Sequence, residues 1–113
     1  VFRISVDGRH GLVAETQDQS TLNDWYTALD IISDPANHSS NGQKFMDWRL
    51  PTKYELNKMY LQRLAVGGFV DFFYWSSTEV KDIFTAWFQD FSNGRQFFHL
   101  KDFSNYVRAI RAF

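Results

Sequence analysis

The hydrophobic period of this chain changes at Gly67-Gly68. In two long segments before that pair, apolar residues recur at helical spacing. After it, short apolar runs are punctuated by turn residues, as in an antiparallel meander. A chain that places its helices early and most of its strands late belongs to the α+β class. The clearest local signal lies in "WRLPTKYELNKMYLQRL" (48–64), where Thr52 stands three residues before Glu55. That spacing lets the hydroxyl and the carboxylate each bond the other's backbone N–H, which starts a helix. Leu56, Met59, Tyr60 and Leu64 are expected to face inward from it. The other predicted helix is "STLNDWYTALDII" (20–32), with Thr21 and Asp24 as its capping pair. Leu22, Trp25, Tyr26, Leu29 and Ile32 form its apolar stripe.

The remaining segments read as strands and breakers. "VFRISVD" (1–7) alternates, with Phe2, Ile4 and Val6 on one face, and "LVAE" (12–15) follows after a turn. "SDPANHSSNGQK" (33–44) is a polar loop. Later strands are expected at "YWSST" (74–78), "TAWFQDF" (85–91), "RQFFHLK" (95–101) and "YVRAIRA" (106–112). Asn93-Gly94 is a strong hairpin signal between the middle two.

The chain's 113 residues suit one domain, spanning 1–113. A net charge of −1 gives no reason to expect general affinity for nucleic acid or anionic membrane, and no apolar run is long enough to insert into a bilayer. The absence of cysteine removes disulfide and thiol chemistry while leaving the compartment open. Val1 begins almost directly in strand-like sequence, so the chain is expected to be the C-terminal part of a longer protein. The unusual figure is aromatic content, at 19% with 12 Phe.

Catalytic patterns are absent from the sequence. His10, His38 and His99 are far apart and form no HExxH or i,i+4 pair, so no zinc site is expected. Ser76 and Ser77 lack the GxSxG elbow, and "GRHG" (8–11) lacks the GK[ST] ending of a phosphate loop. Asp24, Asp30, Asp47 and Glu55 read as helix-start and surface charges. The expectation is a protein that is not an enzyme and uses no cofactor or metal. Trp48, Leu50, Trp75 and Trp87 read as scaffold, Arg49 as a tie for loop carbonyls or an acidic side chain, and Ser76, Ser77 and Thr78 as backbone partners.

Several strings occur together in order: "HGLV" (10–13), "WRLPT" (48–52) followed by Glu55-Leu56, "YWSST" (74–78), Ala86-Trp87, Gly94 and "YVRAIR" (106–111). In this arrangement the chain resembles the C-terminal domain family of Legionella collagen-like protein. The resemblance covers nearly the whole chain. It implies a C-type-lectin-like fold, with two helices packed on a twisted antiparallel sheet, paired N- and C-terminal strands, and a ligand surface on the C-terminal sheet and loops. Family members often carry a cysteine where this chain has Ala109, so the disulfide they imply is missing here. The calcium-dependent sugar motif of true C-type lectins has no counterpart.

Against the family pattern, the last third divides into two classes. Tyr74, Trp75, Ser76, Ser77, Thr78, Ala86, Trp87, Phe91, Gly94, Tyr106, Val107 and Arg108 look fixed. Val70, Asp71, Phe72, Phe73, Val80, Asp82, Ile83, Phe84, Phe88, Asp90, Ser92, Asn93, Arg95, Phe97, Phe98, His99, Leu100, Asp102, Phe103, Ser104 and Asn105 look arbitrary. Every member of the second class is reachable from the codon AAC by changing only its adenines. The segment 70–105 therefore resembles the variable region of a protein diversified by an adenine-mutating retroelement. The alternative is that Phe72-Phe73 and Phe97-Phe98 are plain core residues of a Phe-rich domain. Strand alternation argues otherwise, because adjacent phenylalanines point to opposite faces beside Arg95 and Lys101.

The expected function is ligand binding, most simply of a protein target, through the arbitrary class displayed on a fixed scaffold. The domain would belong to a surface-exposed or secreted bacterial protein. The topology is expected to bring Phe88, Asp90, Arg95, Phe97 and Phe103 into one exposed patch, with Trp87 and Phe91 pointing into the core. The alternative implied by the collagen-like members is adhesion to sulfated polysaccharide through a cluster among Arg3, Lys81, Arg95, Lys101, Arg108 and Arg111, with a trimer as one way to assemble it.

Overall fold

The computed structural model describes residues 3–4, 8–80 and 84–113, with side chains from residue 8 onward. The expectations for Phe2, Val6, Lys81, Asp82, Ile83 and the side chains of Arg3 and Ile4 fall outside the described residues. In chain order the elements are β1 (Arg3–Ile4), β2 (Gly11–Ala14), β3 (Ser20–Asn23), α1 (Trp25–Ser33), α2 (Lys53–Leu61), α3 (Arg63–Val66), β4 (Phe73–Glu79), β5 (Thr85–Asp90), β6 (Gln96–Leu100), β7 (Asn105–Val107) and β8 (Ile110–Ala112). A short 3-10 turn, Pro35–Asn37, follows α1.

Two sheets carry the α+β fold. One has the strand order β1-β2-β8, so the N-terminal strands and the C-terminal strand are paired, with β2 in the middle. The other has the order β3-β7-β4-β5-β6 and is antiparallel except where β7 runs parallel to β4. The chain crosses between the sheets at Arg108-Ala109. Arg49 and Ile110 exchange backbone hydrogen bonds of 2.9 Å each, fastening the segment before α2 to β8.

The start of α2 follows the sequence. Thr52 is its N-cap, and its hydroxyl and the Glu55 carboxylate complete the reciprocal capping box. Glu55 also holds Arg49 through two bonds of 2.6 and 2.8 Å. Leu56 and Met59 are buried, but Leu64 is 91% exposed. The helix breaks at Gln62 and restarts as α3, which turns Leu64 away from the face that Leu56 and Met59 use.

Helix α1 starts later than its sequence pattern suggests. Residues 20–23 pair with β7 as strand β3, and Asp24 is the N-cap, accepting the Thr27 N–H at 2.7 Å. Thr21 therefore caps nothing, and Leu22 is exposed on the strand. The buried stripe is Trp25, Ala28 and Ile32, while Tyr26 and Leu29 face outward.

The core has two parts. Trp25, Ala28, Ile32, Leu50, Trp75, Ala86, Phe88, Val107 and Ala109 form one, and Ala14, Leu56, Met59, Tyr74, Phe91 and Ile110 form the other. Arg108 is fully buried beside the second. Its guanidinium donates to Asp18 (3.0 Å) and to the carbonyls of Glu15 and Gly67 (2.9 Å each), and stacks 4.0 Å over Phe69. Gly68 makes this junction possible, with φ +76° and a site where any Cβ would lie 2.7 Å from the Thr16 carbonyl oxygen.

Candidate ligand-binding face

Strand β5 is the centre of a three-strand unit with β4 and β6. Its register pairs Phe88 with Phe97, Ala86 with His99 and Trp87 with Phe98 on one side, and Trp75 with Phe88 and Phe73 with Asp90 on the other. Alternation then places Phe73, Phe88, Phe97 and His99 on one face. At one end that face is covered by α1 and forms the core around Trp75. At the other end no helix of the described residues covers it.

The uncovered end is aromatic. Phe88, only 2% exposed, is its floor. The His99 ring lies 4.1 Å from Phe88 and 4.7 Å from Phe103, centroid to centroid. Phe73 lies 4.8 Å from Phe88, and Phe72 stacks on Phe73 at 4.7 Å. Phe97 approaches Phe88 at 6.0 Å. The outer rings Phe72, Phe97 and Phe103 remain 42%, 47% and 51% exposed. Burial against these rings pushes the His99 imidazole below its ordinary pKa, favouring the neutral form. Its buried Nδ1 has no hydrogen-bond partner among the described residues.

The framework holds this surface in place. The Phe91 N–H donates to the Phe72 carbonyl (2.8 Å), and the Val70 N–H donates to the Tyr74 hydroxyl (2.9 Å), which in turn donates to Asp18. Burial raises the Tyr74 pKa, keeping that hydroxyl protonated. The hairpin tip is longer than the two-residue turn suggested by Asn93-Gly94. The Gly94 N–H returns to the Asp90 carbonyl at 2.7 Å, and Gly94 alone in the tip has a positive φ, +82°. Its Cβ would lie 2.5 Å from the Tyr60 ring, so the tip packs directly on α2.

Two expectations about β5 are corrected. Phe88, expected in the exposed patch, is buried, and Trp87, expected in the core, is half-buried. The reversal has a physical cause. Helix α2 meets the opposite face of β5 through polar groups: the buried Gln89 amide donates to Asn57 Oδ1 at 2.9 Å, and the Gln96 amide donates to the Lys53 carbonyl at 2.7 Å. Trp87 on that face is capped by the Lys53 ammonium, 3.6 Å from its ring centroid. Within β5, Ala86 and Phe88 join the core part around Trp75, while the other core part, with Tyr74 and Phe91, lies on the α2 side of the sheet. Phe91 does point inward, lying 4.6 Å from Tyr74 and 5.4 Å from Tyr60.

The other arbitrary-class residues are spread more widely than one patch. Val70 and Asp71 are exposed beside Phe72, and Ser92, Asn93 and Arg95 are exposed at the hairpin tip. Asp90 is partly buried and accepts from the Ser92 N–H (2.9 Å) and hydroxyl (2.6 Å). Phe98 is exposed on the reverse face, edge-on to Trp87 at 5.4 Å. Phe84, Leu100 and Asp102 line a separate hollow of about 210 Å³ with Tyr26 and Lys101. Ser104 is exposed, Val80 is partly buried, and Asn105 is buried in β7. Asp82 and Ile83 lie outside the described residues. The expectation of one convergent face is thus met only by Phe72, Phe73, Phe97, His99 and Phe103 with their neighbours. Lys53 borders these surfaces without having been singled out from sequence, and Tyr26, expected on the inner stripe of α1, borders the hollow instead. Their signal is an aromatic or cation on the outer side of a helix, which resembles ordinary surface.

The proposed basic cluster is largely neutralised within the fold. Lys101 is buried and bonds Glu79 at 2.8 Å, Arg108 is paired with Asp18 at 2.9 Å, and Arg111 with Asp47 at 2.7 Å. Of the histidines, His38 is buried between Glu15 and the Ile32 carbonyl, 2.8 Å from each. Among the described residues no group of three or more acidic or histidine side chains gathers as a metal site. No described helix is long and apolar enough to cross a membrane.

Fold and surface together define an α+β domain with a rigid framework and an open aromatic sheet face. The chain matches the Lcl C-terminal domain over residues 4–111, and it belongs to that family, which is one of bacterial, surface-associated proteins. No curated protein matches its sequence.

Proposed function

We propose that this chain is the ligand-binding display domain of a retroelement-diversified variable protein, exposed at a bacterial surface or secreted. It is a non-enzymatic module that grips a protein target through the aromatic face of β4, β5 and β6. The supporting observation is the exposure of Phe72, Phe97 and Phe103 together on a sheet whose backbone is fixed by buried framework residues. A contiguous exposed apolar patch marks an interaction site, and aromatic side chains are the usual anchors of protein contacts. A preorganised sheet limits the entropy lost on binding. The ion pairing of Lys101, Arg108 and Arg111 disfavours the rival reading, adhesion to sulfated polysaccharide, since a polyanion needs free cations.

The test is a library in which Phe72, Phe97, His99 and Phe103 are randomised while the framework is kept, displayed on phage and panned against immobilised lysozyme. Folded binders with diverse residues at these four positions are the expected result. If most library members fail to fold, those residues are structural and the reading fails.

A further inference from the structure

The aromatic face has a charge asymmetry that says what kind of partner it suits. Asp90 is the cross-strand neighbour of Phe73, Asp71 adjoins Phe72, and Asp102 adjoins Phe103. Asp71 and Asp102 are exposed, and among the described residues no ion pair neutralises any of these three carboxylates. The opposing charge within the described part of 70–105 is Arg95 at the hairpin tip, because Lys101 is buried and consumed by Glu79. His99, in the middle of the rings, adds no positive charge when neutral. Aromatic ring faces carry the negative side of the ring quadrupole, so these carboxylates and the exposed rings of Phe72, Phe97 and Phe103 favour the same sign of charge. The fold already uses this chemistry where rings meet its own cations, as with Lys53 over Trp87 (3.6 Å), Lys101 over Trp25 (4.2 Å) and Arg108 over Phe69 (4.0 Å).

We propose that the face recognises a protein segment presenting an arginine or lysine flanked by apolar side chains, the cation seated on the exposed rings of Phe72, Phe97 and Phe103 and balanced by Asp71 and Asp90. This inference rests on the display reading and adds the chemical class of the target. The apolar flanks cover the ring edges, and the cation supplies the selectivity. A polyanion or an acidic peptide meets repulsion at the same place.

The experiment pans a random twelve-residue peptide library against the native domain. Selected peptides are then measured against Phe97→Ser, Phe103→Ser and the double variant Asp71→Asn/Asp90→Asn, where asparagine at 90 retains an acceptor for Ser92. Circular dichroism confirms that each variant is folded. The expected result is enrichment of Arg or Lys beside apolar residues, affinity lost in the two Phe variants, and a fall of about tenfold in the Asn double variant. Peptides that need Phe97 and Phe103 but show no cation enrichment, or that bind the Asn variant equally well, would overturn this inference and leave the display reading standing. Peptides indifferent to both phenylalanines, or no peptide binders at all, would overturn both.

Discussion

His99 is tilted against Phe88, with ring centroids 4.1 Å apart and planes 31° from each other. The contact joins a core residue to a surface one across the β5–β6 pair. It also predicts a titration. Burial favours the neutral imidazole, so its midpoint in a proton NMR titration should fall below the ordinary 6.5. In the sign of linkage, the unfolded chain binds the proton first, so this histidine costs stability as pH falls from about 6.5 toward the folded midpoint. His99→Phe should remove that slope in urea melts between pH 7 and 5. A midpoint above 6.5 would mean that a carboxylate, not the rings, governs His99.

Core and display positions should separate by stability. Trp75→Ala and Phe88→Ala remove fully buried rings and should each cost about 3–5 kcal/mol. Phe97→Ser and Phe103→Ser should cost about 0.5 kcal/mol, as surface substitutions do. Trp87→Ala should fall between them, since its ring is only half-buried under Lys53. Thermal melts of the five variants give the ranking. Equal losses at Phe88 and Phe97 would show that the outer rings are core.

That ranking also shows which parts of the fold were readable in the sequence. The capping box at Thr52 and Glu55 was legible because both partners lie within one turn. The pairing of the terminal strands followed from the family resemblance. The phase of β5 was not legible, because Trp87 and Phe88 are both large and aromatic and alternation alone cannot tell which faces the core. The deciding contacts, Gln89 to Asn57 and Gln96 to the Lys53 carbonyl, span 32 and 43 residues. The start of α1 was misread for a related reason: Ser20–Asn23 has a helix-compatible pattern but pairs with β7, a partner far along the chain. Of the candidate site, the adenine-reachable alphabet pointed to mostly exposed positions, yet it also caught Phe88 and Asn105, which are buried.

The helix cap should be measurable by itself. Thr52→Ala removes the acceptor for the Glu55 N–H and should cost about 1 kcal/mol in a denaturant melt. An unchanged midpoint would place the helix start elsewhere.

Glu55 gives a second pH effect. Burial alone would raise its pKa, but the Arg49 fork and the Thr52 N–H outweigh that and hold it below the ordinary 4.5. A depressed carboxylate contributes stability that is complete above about 4.5 and lost as pH falls through the folded value. Glu55→Gln should therefore be less stable than wild type at pH 7, and the difference should narrow as pH falls below the ordinary carboxylate range. A difference that stays constant across the acid range would show that Glu55 acts through packing.

The most direct measurement of the central claim is the DNA sequence around the coding segment for residues 70–105. The account predicts a near-copy of that segment close by, beside a reverse-transcriptase gene, differing from the coding copy only where the template has adenines. Those differences should fall at Phe72, Phe97, Phe103 and the other display codons and spare Tyr74–Thr78 and Tyr106–Arg108. The absence of any such copy, or a copy whose differences run equally through the framework codons, would contradict it.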